Sequence, residues 1–405
     1  MPPTSPSSEP PRQGWLTTLG WGAYLACSWT WCIGMFLPVL LVRDFGIWGF
    51  VVFAVPNVVG AAGMGWVLRA SSAGEILRTH ASAVRAFSEV TWAFQIYFLL
   101  WLIVCNSAIG LAAASVAFVL VMVQMFVAGY GASAGANRRW AMFLWLMSAG
   151  FMAWGLVRGL LGVPHETPQL DPSHLVWLSP VCAFGFLLCP YLDITFLLAR
   201  RSQQASGARA SFTLGFGLLF AAMIAFTLLY AGRFAWSGAP VSLLDSTGVV
   251  ASLIYIHIIL QISFTTLVHG SARVAVTGRR GIDLPRGIVI GVLAPLFAIV
   301  ATWPTRSHSG LSSGEIIYRL FMSFYGLVFP AYVWLCMIPV RGERGTQKPT
   351  RAKLTVLGIA VALAAPCFWM GFIERQTWWL GPGLGVVLVA RVFIPRGRDE
   401  VGGTT

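Results

Sequence analysis

Charge is scarce in this chain. Asp, Glu, Lys and Arg together make up 10% of its residues, where an ordinary soluble domain carries about 25%, so water is not the main solvent of the fold. Metal-binding cysteine spacing is missing as well. None of the seven cysteines forms a CxxC pair, and all of them (Cys27, Cys32, Cys105, Cys182, Cys189, Cys336 and Cys367) lie in or at the ends of apolar stretches. That placement argues against a disulfide framework and against a cysteine metal site. The first apolar stretch lacks a basic leader and is broken by Trp and Pro, so it reads as a retained span rather than a cleaved signal peptide. No polar stretch offers room for a soluble domain.

What is present is apolar sequence, 57% of the chain. A bilayer core of about 30 Å needs about 20 apolar residues per helix. Twelve stretches meet that length: 21–42, 46–68, 86–106, 110–130, 140–161, 174–199, 211–232, 248–270, 286–304, 315–339, 353–373 and 377–395. They do not alternate polar and apolar, so they are read as helices, which satisfy their own backbone in lipid. Trp21, Trp66, Trp140, Trp303, Trp378 and Trp379 fall near span ends, where an interfacial aromatic belt is expected.

The basic residues set the orientation. Numbering connections from the N-terminal tail, 21 of the 27 Lys and Arg fall on the tail, the even connections and the C-terminus. Five (Arg43, Arg158, Arg233, Arg306 and Arg375) fall on the other side, and Arg319 lies within the tenth stretch. Acidic residues divide evenly and do not create the bias. Basic residues resist translocation, so both termini are expected in the cytoplasm. The net charge of +13 is thereby explained by topology and calls for no nucleic acid; it suits anionic lipid headgroups. The expected setting is a multi-pass protein of the inner or plasma membrane.

Two stretches stand apart. The first carries Ser28, Thr30 and Gly34 at mid-membrane with Pro38 one turn later, and the sixth carries Pro180, Gly185, Pro190 and then Asp193. Proline removes an N–H and clashes with the carbonyl four residues back. The freed backbone groups persist only where protein, ions or water can bond them. Segments 1 and 6 are five apart, so they cross in opposite directions. Paired interrupted segments in corresponding halves are the sequence pointer to a transporter binding site.

This layout resembles the amino acid–polyamine–organocation superfamily, the LeuT-like fold of sodium-coupled symporters. The resemblance implies an all-α fold of about 12 transmembrane helices, with ten in two inverted five-helix halves and two at the periphery. It divides the chain into a disordered cytoplasmic tail (1–14), a first half (15–165), a second half (166–340), a peripheral pair (341–396) and a second tail (397–405). It further implies a sodium ion held by segment 1 carbonyls and paired hydroxyls on segment 8. Carried over, Thr265 and Thr266 supply hydroxyls, Ile262 a carbonyl, and Ser28 and Trp31 the segment 1 carbonyls. No other cofactor is implied.

Polar and aromatic residues inside the spans are expensive and point to function. Trp29, Cys32, Gly34, Phe184 and Gly185 flank the breaks, and Gln95 and His257 are expected to face the same cavity as substrate groups. Trp31 and Phe186 complete the aromatic set around the breaks. Asp193 in the inner half of segment 6 suits coupling or gating. Arg319, four residues from Glu315, is expected to pair with it as part of an outer gate. Asn57 and the small residues Gly60, Ala61, Gly63 and Gly65 make segment 2 a packing helix, expected against segment 1.

The expectation is a secondary transporter, a sodium-coupled small-solute symporter working by alternating access, with no enzymatic activity. The alternatives are an intramembrane acyl- or glycosyltransferase, with His257 or the outer acids Asp44 and Asp171 as its chemistry, and a non-transporting sensor on the same fold.

Overall fold

The computed structural model describes residues 14–105, 133–165, 167–235, 242–243, 248–277, 292–301, 303, 309–340 and 345–394. Span 110–130, residues 286–291 at the start of 286–304 and both tails lie wholly or almost wholly outside these residues. Among the described residues, seven helices are long and apolar enough to cross a membrane, and one further pair joins at a bend of 59°. The chain is therefore a multi-pass helical membrane protein. The one strand pairing among the described residues is a two-residue ladder, Phe234–Ala235 with Ser242–Leu243.

Segment 1 is two helices, α1 (Trp15–Trp29) and α2 (Cys32–Phe45), separated by Thr30 and Trp31. Segment 2 is α3 (Ile47–Val67). A short amphipathic helix, α4 (Ala70–Thr79), leads into α5 (Ala81–Cys105), which is segment 3. Segment 5 is α6 (Ala134–Val157). Segment 6 is again two helices, α7 (Leu175–Leu188) and α8 (Ile194–Arg201), joined through a 3-10 turn at Cys189–Leu192 and extended backbone at Asp193. Segment 7 is α9 (Ala205–Arg233), with a π-helical stretch at Gly215–Phe220. Segment 8 is α10 (Val249–Thr277), and α11 (Ala294–Val300) is the described part of segment 9. Segment 10 is α12 (Ser313–Met337), twice relaxed into π-helix, at Phe324–Val328 and Val333–Met337. The last pair is α13 (Arg351–Phe372) and α14 (Thr377–Phe393).

The packing separates two groups. Helices α1 and α2 pack on α9, α3 packs on α7 and on α9, and α1 also rests on α6. Helix α5 packs on α11, α10 and α12, while α10 packs on α6. The α13–α14 pair leans on α7 and α12. Outward faces carry Val55, Val59, Phe143, Leu146 and Leu363 in the open, the arrangement lipid requires. Trp66, Trp140, Trp303 and Trp378 are likewise exposed. Trp21 departs from the belt expected of it: it is buried beneath Arg138, whose guanidinium carbon lies 4.9 Å from the ring centroid.

Glycine sets the closest approaches. A Cβ at Gly60 of α3 would collide with the Phe186 carbonyl of α7, and one at Gly215 of α9 would lie 2.9 Å from the Gly22 carbonyl of α1. The small residues of segment 2 thus serve segments 6 and 7 more than segment 1, because Gly65 also meets Phe212 of α9. Segment 1 is met instead at Gly49, against the Leu41 carbonyl. Gly60→Ala is expected to destabilise the protein towards the upper end of the roughly 1–3 kcal/mol typical of overpacking, since backbone cannot step aside as a side chain can. Gly63 has no atom within 4 Å of its virtual Cβ, so Gly63→Ala should be neutral or slightly stabilising. Unfolding midpoints of the two variants in one detergent check the contrast.

Helix α4 lies across α8. Arg200 of α8 donates to the Leu68 carbonyl at 2.6 Å. His80, between α4 and α5, bonds Tyr332 of α12 at 2.9 Å. Burial, and then the nearby Lys353 charge, push the His80 imidazole down to about 4. An unfolded chain protonates this group near 6.5, so acid favours the unfolded state. The stability from neutral His80 is fully present above about pH 6.5 and is lost as the pH falls towards 4. His80→Phe should flatten the acid limb of a plot of unfolding midpoint against pH, and an unchanged limb would show that His80 does not produce it.

Candidate functional site

The two interrupted spans face one another. Thr195, in the first turn of α8, brings its hydroxyl oxygen to 3.3 Å from Ser28 Oγ at the end of α1. Trp29, the last residue of α1, lies against Phe196 of α8 at 4.9 Å between ring centroids. A small cavity opens beside the breaks, lined by Trp29, Trp31, Ile33, Gly34, Asn57, Phe186, Cys189 and Tyr325. In this conformation it has space for about one water molecule.

Trp31 dominates this junction. It is 1% exposed. Its ring contacts Phe87 of α5, His269 of α10 and Tyr325 of α12 at centroid distances of 5.4, 5.8 and 5.5 Å. Its indole N–H donates to the Ser28 carbonyl, closing a turn across the break. Trp29 donates to Asn57 Oδ1 at 2.6 Å, which fixes that amide on α3. The α2 side of the break is held by Tyr318, which donates to the Cys32 carbonyl (3.0 Å), and by Thr227, which donates to the Gly34 carbonyl (2.9 Å). The Gly34 carbonyl, which Pro38 deprives of its intrahelical donor four residues on, is thus bonded by a side chain of α9, as lipid requires.

Asp193 occupies the second break and is fully buried. Its Oδ1 caps α8, accepting from the Thr195 N–H at 2.7 Å, the Phe196 N–H at 3.3 Å and the Thr195 hydroxyl at 2.6 Å. Its Oδ2 has no hydrogen-bond partner and lies 3.7 Å from His269 Nε2, which has none either. His269 is also fully buried, with Nδ1 3.1 Å from Ser88 Oγ. A second small cleft, lined by Arg85, Ser88, Glu89, Trp92, Ile194, His269 and Arg273, approaches this pair between α5 and α10.

The end where α2 meets α12 and the α13–α14 turn is closed by ion pairs. Arg43 holds Glu315 through both nitrogens of its fork, at 2.7 and 2.6 Å. Arg319 pairs with Glu315 and Asp44, each at 2.7 Å, and Arg375 reaches Asp44 at 2.9 Å. The Arg319–Glu315 pair follows from their spacing of four. The other members come from α2 and from the turn between α13 and α14, so the network ties segment 1 to segment 10 and to the peripheral pair.

The remaining candidates divide. Trp29 and Gly34 line the cavity, whereas Cys32 faces Tyr318 through its carbonyl. Phe184 turns towards Trp334, with ring centroids 6.4 Å apart, and Gly185 lets α7 approach the Tyr325 carbonyl. His257 is not brought to the breaks: Nδ1 lies 2.8 Å from Ser148 Oγ on α6, and its ring packs on Phe226 and Tyr230 of α9. Gln261 shares that face, donating to the same Ser148 oxygen at 3.2 Å. Gln95 is fully buried with neither amide atom bonded, and it does not line the cavity.

The oxygens assigned to sodium are mostly engaged within their own helices. The Trp31 carbonyl accepts from the Met35 N–H (2.8 Å), and the Ile262 carbonyl from the Thr266 hydroxyl (3.0 Å). The Thr265 hydroxyl bonds the Gln261 carbonyl at 3.0 Å, and it also reaches segment 1, at the Cys27 carbonyl (3.4 Å) rather than at Ser28 or Trp31. His269 and Tyr325 complete the junction and carry no sequence signal of their own, since neither sits in a motif or beside a helix breaker.

No family model matches the chain, and no curated protein or solved structure matches it either.

Proposed function

We propose that this protein is a secondary transporter of a small solute, working by alternating access on a five-plus-five inverted repeat with two peripheral spans. The observation that carries the proposal is the meeting of two interrupted spans, segments 1 and 6, at one buried cavity. Half-helices that end at mid-membrane present unpaired backbone groups and dipole ends to a ligand. The packing supports the repeat. Exchanging each segment with the one five places along turns the contact of 1 with 7 into that of 6 with 2, 1 with 5 into 6 with 10, and 3 with 10 into 8 with 5, and all of these contacts occur. The glycine approaches follow the same exchange, Gly60 to segment 6 and Gly215 to segment 1.

The solute is small and partly flat or apolar, because aromatic rings and the Asn57 amide form most of the wall. Trp31 fills the junction in this closed conformation and must swing aside to admit it. Native Cys189 lines the cavity and is a built-in reporter. With the other cysteines replaced, a membrane-impermeant methanethiosulfonate should modify Cys189 slowly from either face of sealed vesicles. Failure to react from both faces in a folded protein would remove alternating access.

Sodium coupling is the finer part of the proposal. Its support is the approach of Thr265 to the Cys27 carbonyl, which brings a segment 8 hydroxyl to segment 1. A sodium ion, a hard cation that takes oxygen ligands, would be held there by the Thr265 and Thr266 hydroxyls and that carbonyl. Thr265→Ala is expected to weaken binding of radioactive sodium to the purified protein by about tenfold, the order of one charge-assisted contact. A second coupling mode, by protons, is favoured by one observation: Asp193 and His269 present unbonded atoms to each other at 3.7 Å beside the second cleft. A sodium gradient and a proton gradient imposed separately on proteoliposomes distinguish the two.

A further inference from the structure

We infer that an apolar pocket beside the Asp44–Arg319–Arg375 ion pairs is a binding site for an amphiphilic anion: an acyl chain ending in a carboxylate or phosphate group. The pocket lies between α2, α7, α12 and the α13–α14 pair. Its walls are hydrocarbon, with Leu40, Leu178, Val181, Met322, Phe372 and Leu380 among them. It shares Phe186 and Tyr325 with the cavity at the breaks but is otherwise separate from it.

Charge sits only at one end. The charged residues that line the pocket are Asp44, Arg319 and Arg375, two cations against one anion. The Asp44 carboxylate is already shared, with Oδ1 taken by Arg43 and Arg375 and Oδ2 by Arg319. Arg375 retains a buried Nε with no hydrogen-bond partner. Leaving such a donor unmet is unfavourable, and a bound anion supplies the missing acceptor. Arg375 is also the one described non-glycine residue with positive φ, at 59°. Backbone held in that region is strained and tends to occur where a side chain is being aimed. A neutral oxygen would accept from Nε without charge assistance, whereas a carboxylate or phosphate makes the stronger bond, and a cationic head would face two guanidinium groups. The inference gives the peripheral pair a task, since Phe372 and Leu380 form one wall, and it does not rest on the transport reading.

The test uses the full chain in phosphatidylcholine nanodiscs with a long-chain carboxylate carrying a diazirine in its tail. Light-induced crosslinks are expected in peptides covering 37–45 and 178–186. Unlabelled carboxylate should compete, and the alcohol of equal chain length should compete at least about tenfold less well, the worth of a charge-assisted contact. Arg375→Gly suits the positive φ and should reduce labelling about tenfold, with the unfolding midpoint reporting that the fold persists. Leu178→Trp, which fills the tail channel and leaves the charges in place, should reduce labelling as well. Repeating the labelling in phosphatidylglycerol nanodiscs identifies the source. Loss of labelling there marks membrane lipid as the occupant, and undiminished labelling marks a free carboxylate; either outcome supports an acyl anion. Equal competition by the alcohol, undiminished labelling of both variants, or crosslinks confined to other helices would overturn the inference.

Discussion

Asp44→Asn is expected to destabilise the protein by about 3–5 kcal/mol, the loss that follows when one partner of a buried ion pair is removed. Asp44 is 1% exposed and accepts from Arg43, Arg319 and Arg375. Asparagine keeps the shape but turns an NH₂ group towards guanidinium groups that are themselves largely buried. The loss exceeds that of a surface pair, worth about 0–1 kcal/mol, because water cannot reach in to replace the missing charge. Denaturation of the two proteins in the same detergent measures it. A drop under about 1 kcal/mol, the surface value, would mean that the network is open to solvent. Because Asp44 also ties segment 1 to the turn before segment 12, the same variant should raise the reactivity of Cys189 from the outer face. Glu315→Gln, which leaves the Arg43 fork without its carboxylate, should behave alike.

Asp193→Asn is expected to abolish concentrative uptake while leaving the protein folded. The separation is possible because the two carboxylate oxygens have different tasks. Oδ1 caps α8, and an amide oxygen can accept the same N–H bonds. Oδ2 bonds nothing and faces His269, so its task is carried by charge. Asp193→Ala removes the cap as well and should add about 0.5–2 kcal/mol of destabilisation. His269→Gln should impair uptake as Asp193→Asn does, since it removes the group that faces the charge. Uptake is read in proteoliposomes under imposed sodium and proton gradients. Accumulation at the unsubstituted level by a folded Asp193→Asn protein would take the charge at this position out of the coupling machinery. Solute exchange without accumulation would be the signature of a carrier whose coupling has been lost.

Much of the fold is legible along the chain. Span limits agree with helix limits to within several residues wherever both are described: 46–68 against Ile47–Val67, and 353–373 against Arg351–Phe372. Both breaks fall where helix-breaking residues stand, Pro190 and Gly34 with Pro38, although the first interruption is at Thr30–Trp31, ahead of the proline rather than at it. Pro38 lies inside α2, so the bend owes more to the bonds that satisfy the break than to proline. The site was only partly legible. Trp29 and Gly34 were readable as neighbours of a break. His257 and Gln95 were readable only as costly polar residues, and polarity alone does not say which way a helix turns. His257 meets Ser148 and two aromatic rings on segment 7 and does not line the cavity at the breaks.

By itself the sequence determined the solvent of this protein, its helices and the positions of its two weak points, and it carries the expectation for orientation. All of these depend on residues close together in the chain: apolar length, basic residues beside span ends, proline and glycine within a turn or two. Tertiary structure alone decided that the weak points meet, that Arg43, Asp44, Glu315, Arg319 and Arg375 form one network, and that Asp193 faces His269 rather than Arg200. Those contacts join residues dozens to hundreds of positions apart, and they depend on the rotation of each helix about its axis. In lipid, a nearly all-apolar helix has little amphipathic stripe to set that rotation, so packing against neighbours sets it instead.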